Sequence, residues 1–110
     1  MTKKITIGAN PLNTELIYLN EDDKPSGSLL IVYFDKIAWF YAVEIIPSKR
    51  NLGYGKKIIY ESMKRCVSKG MESIQLNCAV DNLIANTLYQ SIGFQFISTD
   101  GDYNNYEYKL

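Results

Sequence analysis

Apolar and polar positions along the chain fall into short blocks whose period changes from strand-like to helical and back. Glu15 to Asn20 and Ser28 to Phe34 read as strands separated by the turn-rich Glu21-Asp22-Asp23-Lys24-Pro25-Ser26-Gly27. The short Asp35-Lys36 link predicts a hairpin into a third strand, Ile37 to Ile46. That run is almost continuously apolar, which predicts a central strand with both faces covered. Glu44 is its only charge, so it belongs near a water-open strand end or in a site.

From Gly53 to Lys69 the apolar Ile58, Ile59, Met63, Cys66 and Val67 repeat at helical spacing, and Gly70 stands where a left-handed cap ends a helix. Ser73 to Ala79 alternates as a strand, so strand, helix and strand predict a right-handed parallel crossover. Asp81 or Asn82 caps a second helix with Ile84, Ala85, Leu88 and Ile92 on its stripe, stopped by Gly93. Phe94 to Ser98 and Tyr103 to Leu110 follow as strands about the Asp100-Gly101 hairpin signal. The expected architecture is one α/β (α+β) domain over residues 1–110, a mixed sheet with at least two helices.

Composition narrows the function classes. Twelve basic and twelve acidic residues cancel, which argues against a general nucleic-acid binder, because counterion release needs a clustered positive surface. There is no apolar leader after Met1 and no run of roughly 18 apolar residues, so a cytoplasmic protein with no membrane partner is expected. Histidine is absent, and Cys66 and Cys78 lack Cys-x-x-Cys spacing. Zinc sites and Ser-His or Cys-His pairs therefore lose their usual members, no metal is expected, and both thiols read as packing residues.

The chemistry concentrates at Arg50-Asn51-Leu52-Gly53-Tyr54-Gly55-Lys56, where the apolar strand meets the first helix. A helix start offers N–H groups without intrahelical partners and the positive end of the macrodipole. Glycines at 53 and 55 admit close backbone approach, and Arg50, Lys56 and Lys57 add cations. The segment reads as a phosphate-binding junction.

Two segments together resemble the GNAT N-acetyltransferase superfamily, whose members move an acetyl group from acetyl-CoA to an amine. The loop Arg50-Asn51-Leu52-Gly53-Tyr54-Gly55 looks like the family's Arg/Gln-x-x-Gly-x-Gly/Ala. The run from Asn82 to Phe94 is similar to its Asn-x-x-Ala-x-x-Leu-Tyr-x-x-x-Gly-Phe pattern, through Ala85, Leu88, Tyr89 and Gly93. The resemblance covers about residues 28 to 110 and implies a GNAT-like, mostly antiparallel sheet with a central parallel strand pair. Family members usually carry a strand and two helices ahead of the strand that looks like Glu15 to Asn20, where only 14 residues stand here. A minimal member with an open acceptor side is expected, its uncovered apolar surface met either by the Thr2 to Asn13 segment or, preferably, by a second copy in a homodimer.

The resemblance also implies roles. The pantetheine arm of acetyl-CoA would bond the backbone of Val43 to Ile45, and its pyrophosphate would sit on N–H groups from Leu52 through Gly53, Tyr54 and Gly55 to Lys56. Asn82 would bond the pantetheine arm or fix the helix start. Tyr89 looks like the tyrosine that protonates the departing thiolate, and its bland alternative is packing. Some relatives carry a glutamate as general base at the position of Asn77 and others near that of Trp39 or Tyr41, none of which can act as one here, which leaves Glu44, a water chain or, less favoured as a natural helix-start residue, Asp81. A lysine amine with pKa near 10.4 forfeits about 4.6 kcal/mol to deprotonation at neutral pH, an α-amine only about 1 to 1.4. A weak base therefore favours α-amines, and a missing lid favours a peptide or protein amine. Against direct transfer to an amine stand a catalytically silent acyl-CoA-binding module and a self-associating domain using Tyr103, Tyr106 and Tyr108.

Overall fold

A computed structural model of the chain describes residues 3–10 and 13–110, with side chains from Asn13 onward. The elements run β1 (Lys3–Asn10), β2 (Thr14–Glu21), β3 (Lys24–Phe34), β4 (Ile37–Ile45), a single 3-10 turn (Pro47–Lys49), α1 (Tyr54–Ser68), β5 (Ser73–Ala79), α2 (Leu83–Ile92), β6 (Gln95–Asp100) and β7 (Tyr103–Lys109). They form one sheet in the order β1-β2-β3-β4-β5-β7-β6. Every neighbouring pair is antiparallel except β4 and β5, which run parallel at its centre. The mixed sheet with a central parallel pair is the architecture the sequence predicts. Strand β1 and the 3-10 turn are additions to it.

Both helices lie on one face. Glu15, Ile17, Leu19, Leu29, Ile31, Tyr33, Ala38, Phe40, Ile74, Leu76, Cys78 and Tyr106 alternate along their strands onto that face and are buried there against Ile58, Ile59 and Cys66 of α1 and Tyr89 and Ile92 of α2. On α1 the buried row is Tyr54, Ile58, Ile59, Ser62 and Cys66, while Val67, expected inside, is exposed. Ser62 takes an inward position because its hydroxyl donates to the Ile58 carbonyl at 2.7 Å. On α2, Ile84 is exposed and the polar Asn86 stands inside with Tyr89 and Ile92. Gly70 (φ +75°) and Gly93 (φ +118°) close the two helices in left-handed conformation, as their positions predict.

The expectation that both faces of the third strand are covered is corrected. β4 does sit at the sheet centre, and Ala38 and Phe40 are buried beneath α1, but Trp39 is half-exposed and Tyr41 exposed on the other side. Leu16, Tyr18, Leu30 and Val32 share that side and are likewise only half-buried. Among the described residues no helix packs there. β1 does not close over it either, because it pairs with β2 along the sheet edge, Ile5 opposite Leu19 and Ile7 opposite Ile17. Thr2, from which the expected N-terminal cover begins, lies outside the described residues.

Candidate active site

The site begins with a defect in β4. Tyr41 pairs with Leu30 and Glu44 with Ser28, so Ala42 and Val43 together face one residue of β3. Ala42 adopts φ +52°, the left-handed conformation of a bulge residue, without being glycine. The extra residue flips the side-chain parity: Ala38 and Phe40 face the core before it, Val43 and Ile45 after it. Glu44 is thereby turned to the helix-free face, where it is exposed. Gly27 permits the close strand approach behind the bulge, since a Cβ there would stand 2.5 Å from Ile45 Cδ1 and 2.9 Å from the Glu44 carbonyl.

β4 stays paired with β3 through Ile45, whereas its parallel ladder with β5 covers only Ile37–Phe40 opposite Ser73–Leu76. Beyond Phe40 and Leu76 the two strands part, and β5 continues on β7 to Ala79. A gap thus opens at the carboxyl ends of the parallel pair, the place where open α/β sheets take ligands. The Ile46 N–H donates to Ser26 at 3.0 Å, so the neighbouring backbone of Ile45 faces the gap, where its carbonyl accepts from Arg50 Nε at 3.0 Å. Arg50 therefore ties the loop back to the strand end.

The start of α1 stands at the head of the gap. Its N-cap is Gly53 at φ +78°, no side chain caps it, and its first turn carries no acidic residue. Lys57 N–H reaches Gly53 at 3.1 Å, leaving the N–H groups of Gly55 and Lys56 outside the helix's own ladder. A Cβ on Gly53 would meet nothing within 4 Å, so the left-handed backbone and not crowding demands glycine. Gly55 answers a different need: a Cβ there would press on Leu88 Cδ2 at 3.0 Å, so its absence lets α2 close on α1. Lys56 and Lys57 are exposed, Leu52 projects into solvent, and Tyr54 is buried, so only its backbone belongs to the loop surface. Lys49 is occupied by Glu21 at 2.9 Å.

The far wall is α2. Asn82 accepts the Ala85 N–H at 3.2 Å through Oδ1, the cap its position predicts. Asn86, which sequence periodicity missed, holds the helix start in place. Its Nδ2 donates to the carbonyls of Ala79 (2.9 Å) and Asn82 (2.8 Å), and its Oδ1 accepts from Tyr106 Oη (2.6 Å) and Asn104 Nδ2 (3.0 Å). All four hydrogen-bonding positions of a buried amide are satisfied, which fixes α2 against the ends of β5 and β7. A polar residue at an inward helical position was the available signal.

Tyr89 lies one turn beyond, buried between Phe94 and Tyr106 with ring centroids 6.0 and 6.1 Å away. Burial, with the Cys78 thiol beside it, raises its pKa above the ordinary phenol value, so the hydroxyl stays protonated at neutral pH. That hydroxyl has no hydrogen-bond partner among the described residues. Cys78 is itself raised by burial and then by Asp81. Of the tyrosine-rich end offered as an alternative self-association surface, Tyr106 is buried, Tyr108 is half-buried with its ring 5.4 Å from that of Phe94, and Tyr103 is exposed.

The family model described as "Acetyltransferase (GNAT) family" matches residues 5–94. The chain belongs to that family. Curated relatives of this GNAT domain include the mycothiol acetyltransferase of Renibacterium salmoninarum, 36% identical over 64 residues, 58% of this chain and 19% of that protein. Another is the [ribosomal protein bS18]-alanine N-acetyltransferase of Haemophilus ducreyi, 27% identical over 96 residues, 87% of this chain and 64% of that protein. The chain thus spans about a fifth of the first relative and under two thirds of the second. In fold it resembles the PaiA N-acetyltransferase of Thermoplasma acidophilum in complex with coenzyme A (TM-score 0.86, 20% identity, 89% of this chain and 62% of that one). It also resembles in fold a Bacillus subtilis acetyltransferase in complex with CoA (TM-score 0.87, 12% identity, 99% of both chains).

Proposed function

We propose that this GNAT domain is an acetyl-CoA-dependent N-acetyltransferase that passes the acetyl group directly to an amine in a ternary complex. The observation that carries the reading is the gap between β4 and β5 with the uncapped start of α1 at its head. The gap suits an extended pantetheine arm against the backbone of Val43 to Ile45. The loop Leu52 to Lys56 suits a pyrophosphate, with Lys56 and Lys57 exposed beside it. Bound acetyl-CoA would supply an activated acyl group, and the chain would supply alignment and proton transfer. Tyr89, kept protonated by burial, gives its proton to the departing thiolate. Glu44, on the helix-free face, or water takes the amine proton. A peptide or protein α-amine is the favoured acceptor, because among the described residues no helix covers that face and a carboxylate such as Glu44 is a weak base. Two free, buried cysteines accord with a reducing, cytoplasmic setting.

The half-buried Leu16, Tyr18, Leu30 and Val32 make an apolar stripe that suits a homodimer on the β2–β3 side, leaving the β4–β5 side open to acceptors. Light scattering over a wide concentration range should give twice 12.6 kDa, and a mass fixed at 12.6 kDa would remove the dimer.

Saturating acetyl-CoA should raise the melting temperature, and labelled acetyl should pass to members of an amine and peptide panel. Tyr89→Phe should lower turnover by about 10²- to 10⁴-fold with acetyl-CoA binding retained. Binding without transfer to any amine would favour a silent acyl-CoA module, and no melting shift would overturn the reading altogether.

A further inference from the structure

The helix-free face carries a cleft of about 350 Å³ whose walls include Trp39, Tyr41, Gln75, Asn77, Ile97 and Glu107. Glu107 is the one carboxylate among its lining residues, and no lysine or arginine lines it. The carboxylate is half-buried and takes part in no ion pair among the described residues. Gln75 Nε2 donates to Glu107 Oε2 at 3.3 Å, which orients the group and leaves the second oxygen to the cleft. A carboxylate without an ion pair in a cleft that Trp39 and Tyr41 also line is the complement of an organic cation: the charge pairs with the carboxylate and the apolar stem with the aromatic wall.

Register fixes where this carboxylate stands relative to the gap. Trp39 is opposite Gln75 and Gln75 opposite Glu107, so the three form one row across β4, β5 and β7, immediately before the point where β4 and β5 part. Neighbouring strands lie about 4.8 Å apart, which puts β7 ~7 Å from the line between β4 and β5. A cation on Glu107 is therefore displaced sideways from an amine entering the gap. The carboxylate is positioned to hold a second charge of the acceptor and not the reacting nitrogen.

We propose that Glu107, oriented by Gln75, is the specificity-determining residue of the acceptor site and selects amines that carry a second cationic group about 7 Å from the one acetylated. The proposal rests on the acetyltransferase reading above. Two sources carry the required chemistry: a free aliphatic diamine, and a peptide whose second residue is lysine, whose flexible side chain, one residue step of ~3.8 Å from the first Cα, can set its ammonium about 7 Å from the α-amine.

The test compares probes that differ in that charge alone, 1,5-diaminopentane against pentylamine and the dipeptide amide Ala-Lys against Ala-norleucine. In the wild type the charged member of at least one pair should have a kcat/KM about tenfold higher, with the difference in KM. Glu107→Gln should bring that ratio to about one, and Glu107→Asp, which keeps the charge, should restore part of it. The pair that shows the ratio identifies the source. Equal values for both pairs in the wild type, or a ratio that survives Glu107→Gln, would overturn the proposal. A readout independent of turnover separates it from failure of the acetyltransferase reading: 1,5-diaminopentane should shift the Gln75 side-chain amide resonances of the wild type and leave them unmoved in Glu107→Gln. Should acetyl-CoA give no melting shift while that perturbation is present, the cation site stands and the transferase reading falls. Absence of any Gln75 perturbation by either charged probe overturns the site.

Discussion

The two ends of α1 are built in opposite ways. At its C-terminal end Glu15 of β2, 4% exposed, accepts from Tyr33 Oη at 2.9 Å and pairs with Arg65 at 3.5 Å and Lys69 at 3.3 Å, while Lys69 lies 4.7 Å above the Tyr33 ring. The cations sit where the helix dipole favours them, and every partner is another part of the chain. At its N-terminal end there is a left-handed glycine, no capping side chain and no acid in the first turn, with two exposed lysines. One end has its polar groups taken up by the fold, and the other leaves its first-turn N–H groups outside the helix's own ladder, where the proposed function puts a phosphate. Substitutions at the two ends should accordingly separate stability from binding.

The largest effect is expected at the open end. Gly53→Glu forces a side chain onto φ +78° and sets a carboxylate beside the first-turn N–H groups, where it competes with an incoming phosphate. Affinity for CoA should fall by about 100-fold, close to 3 kcal/mol, as read by calorimetric titration. Stability should fall by only about 1 kcal/mol. A CoA affinity that is unaffected would show that the phosphate does not use this helix start.

The closed end should show the reverse. Glu15→Gln keeps the shape of the side chain but removes the charge that Arg65 and Lys69 approach, and both cations are partly exposed and can regain water. A loss of about 2 kcal/mol in urea unfolding is expected, below the usual cost of breaking a fully buried pair. The dissociation constant for CoA at a temperature where the variant is folded should match the wild type. A parallel loss of affinity would mean that the two ends are mechanically coupled through the helix.

How legible each end was in the sequence differs for the same physical reason. The open end is a local motif: glycines, cations and a helix start within a few residues, so spacing alone brought Gly53, Gly55 and Lys56 together, and Asn82 and Tyr89 likewise share one helix. The closed end joins residues distant in sequence through strand register, and nothing local in Glu15 announces that it is buried. The same limit hid the helix-free face of β4, since the bulge at Ala42 reverses side-chain parity within a run that reads as uniformly apolar. It also hid Glu107, which meets Gln75 only across β5 and β7. Ile84, expected on the apolar stripe, is exposed, while Asn86 stands inside because its four hydrogen bonds offset the cost of burying its amide.

The smallest effect sharpens the contrast through pH. Cys66, fully buried beneath the closed end, has its thiol pushed from 9.0 up to about 12, first by burial and then by the Glu15 charge. A folded pKa above the unfolded one means that the folded chain retains a proton the unfolded chain gives up. The contribution is therefore fully present below pH 9.0 and is lost as pH rises from there toward about 12. At pH 10 the loss is on the order of 1 kcal/mol. Cys78 and Tyr89 are raised as well and share the sign, so a single pH profile does not isolate Cys66. Cys66→Ala does: it lowers stability at every pH by creating a cavity, but the further loss between pH 8 and pH 10 should be smaller than in the wild type by on the order of 1 kcal/mol in urea unfolding. Equal losses in the two proteins would mean that the thiol can reach water in the folded state, and that the C-terminal end of α1 is less tightly closed than the Glu15 network implies.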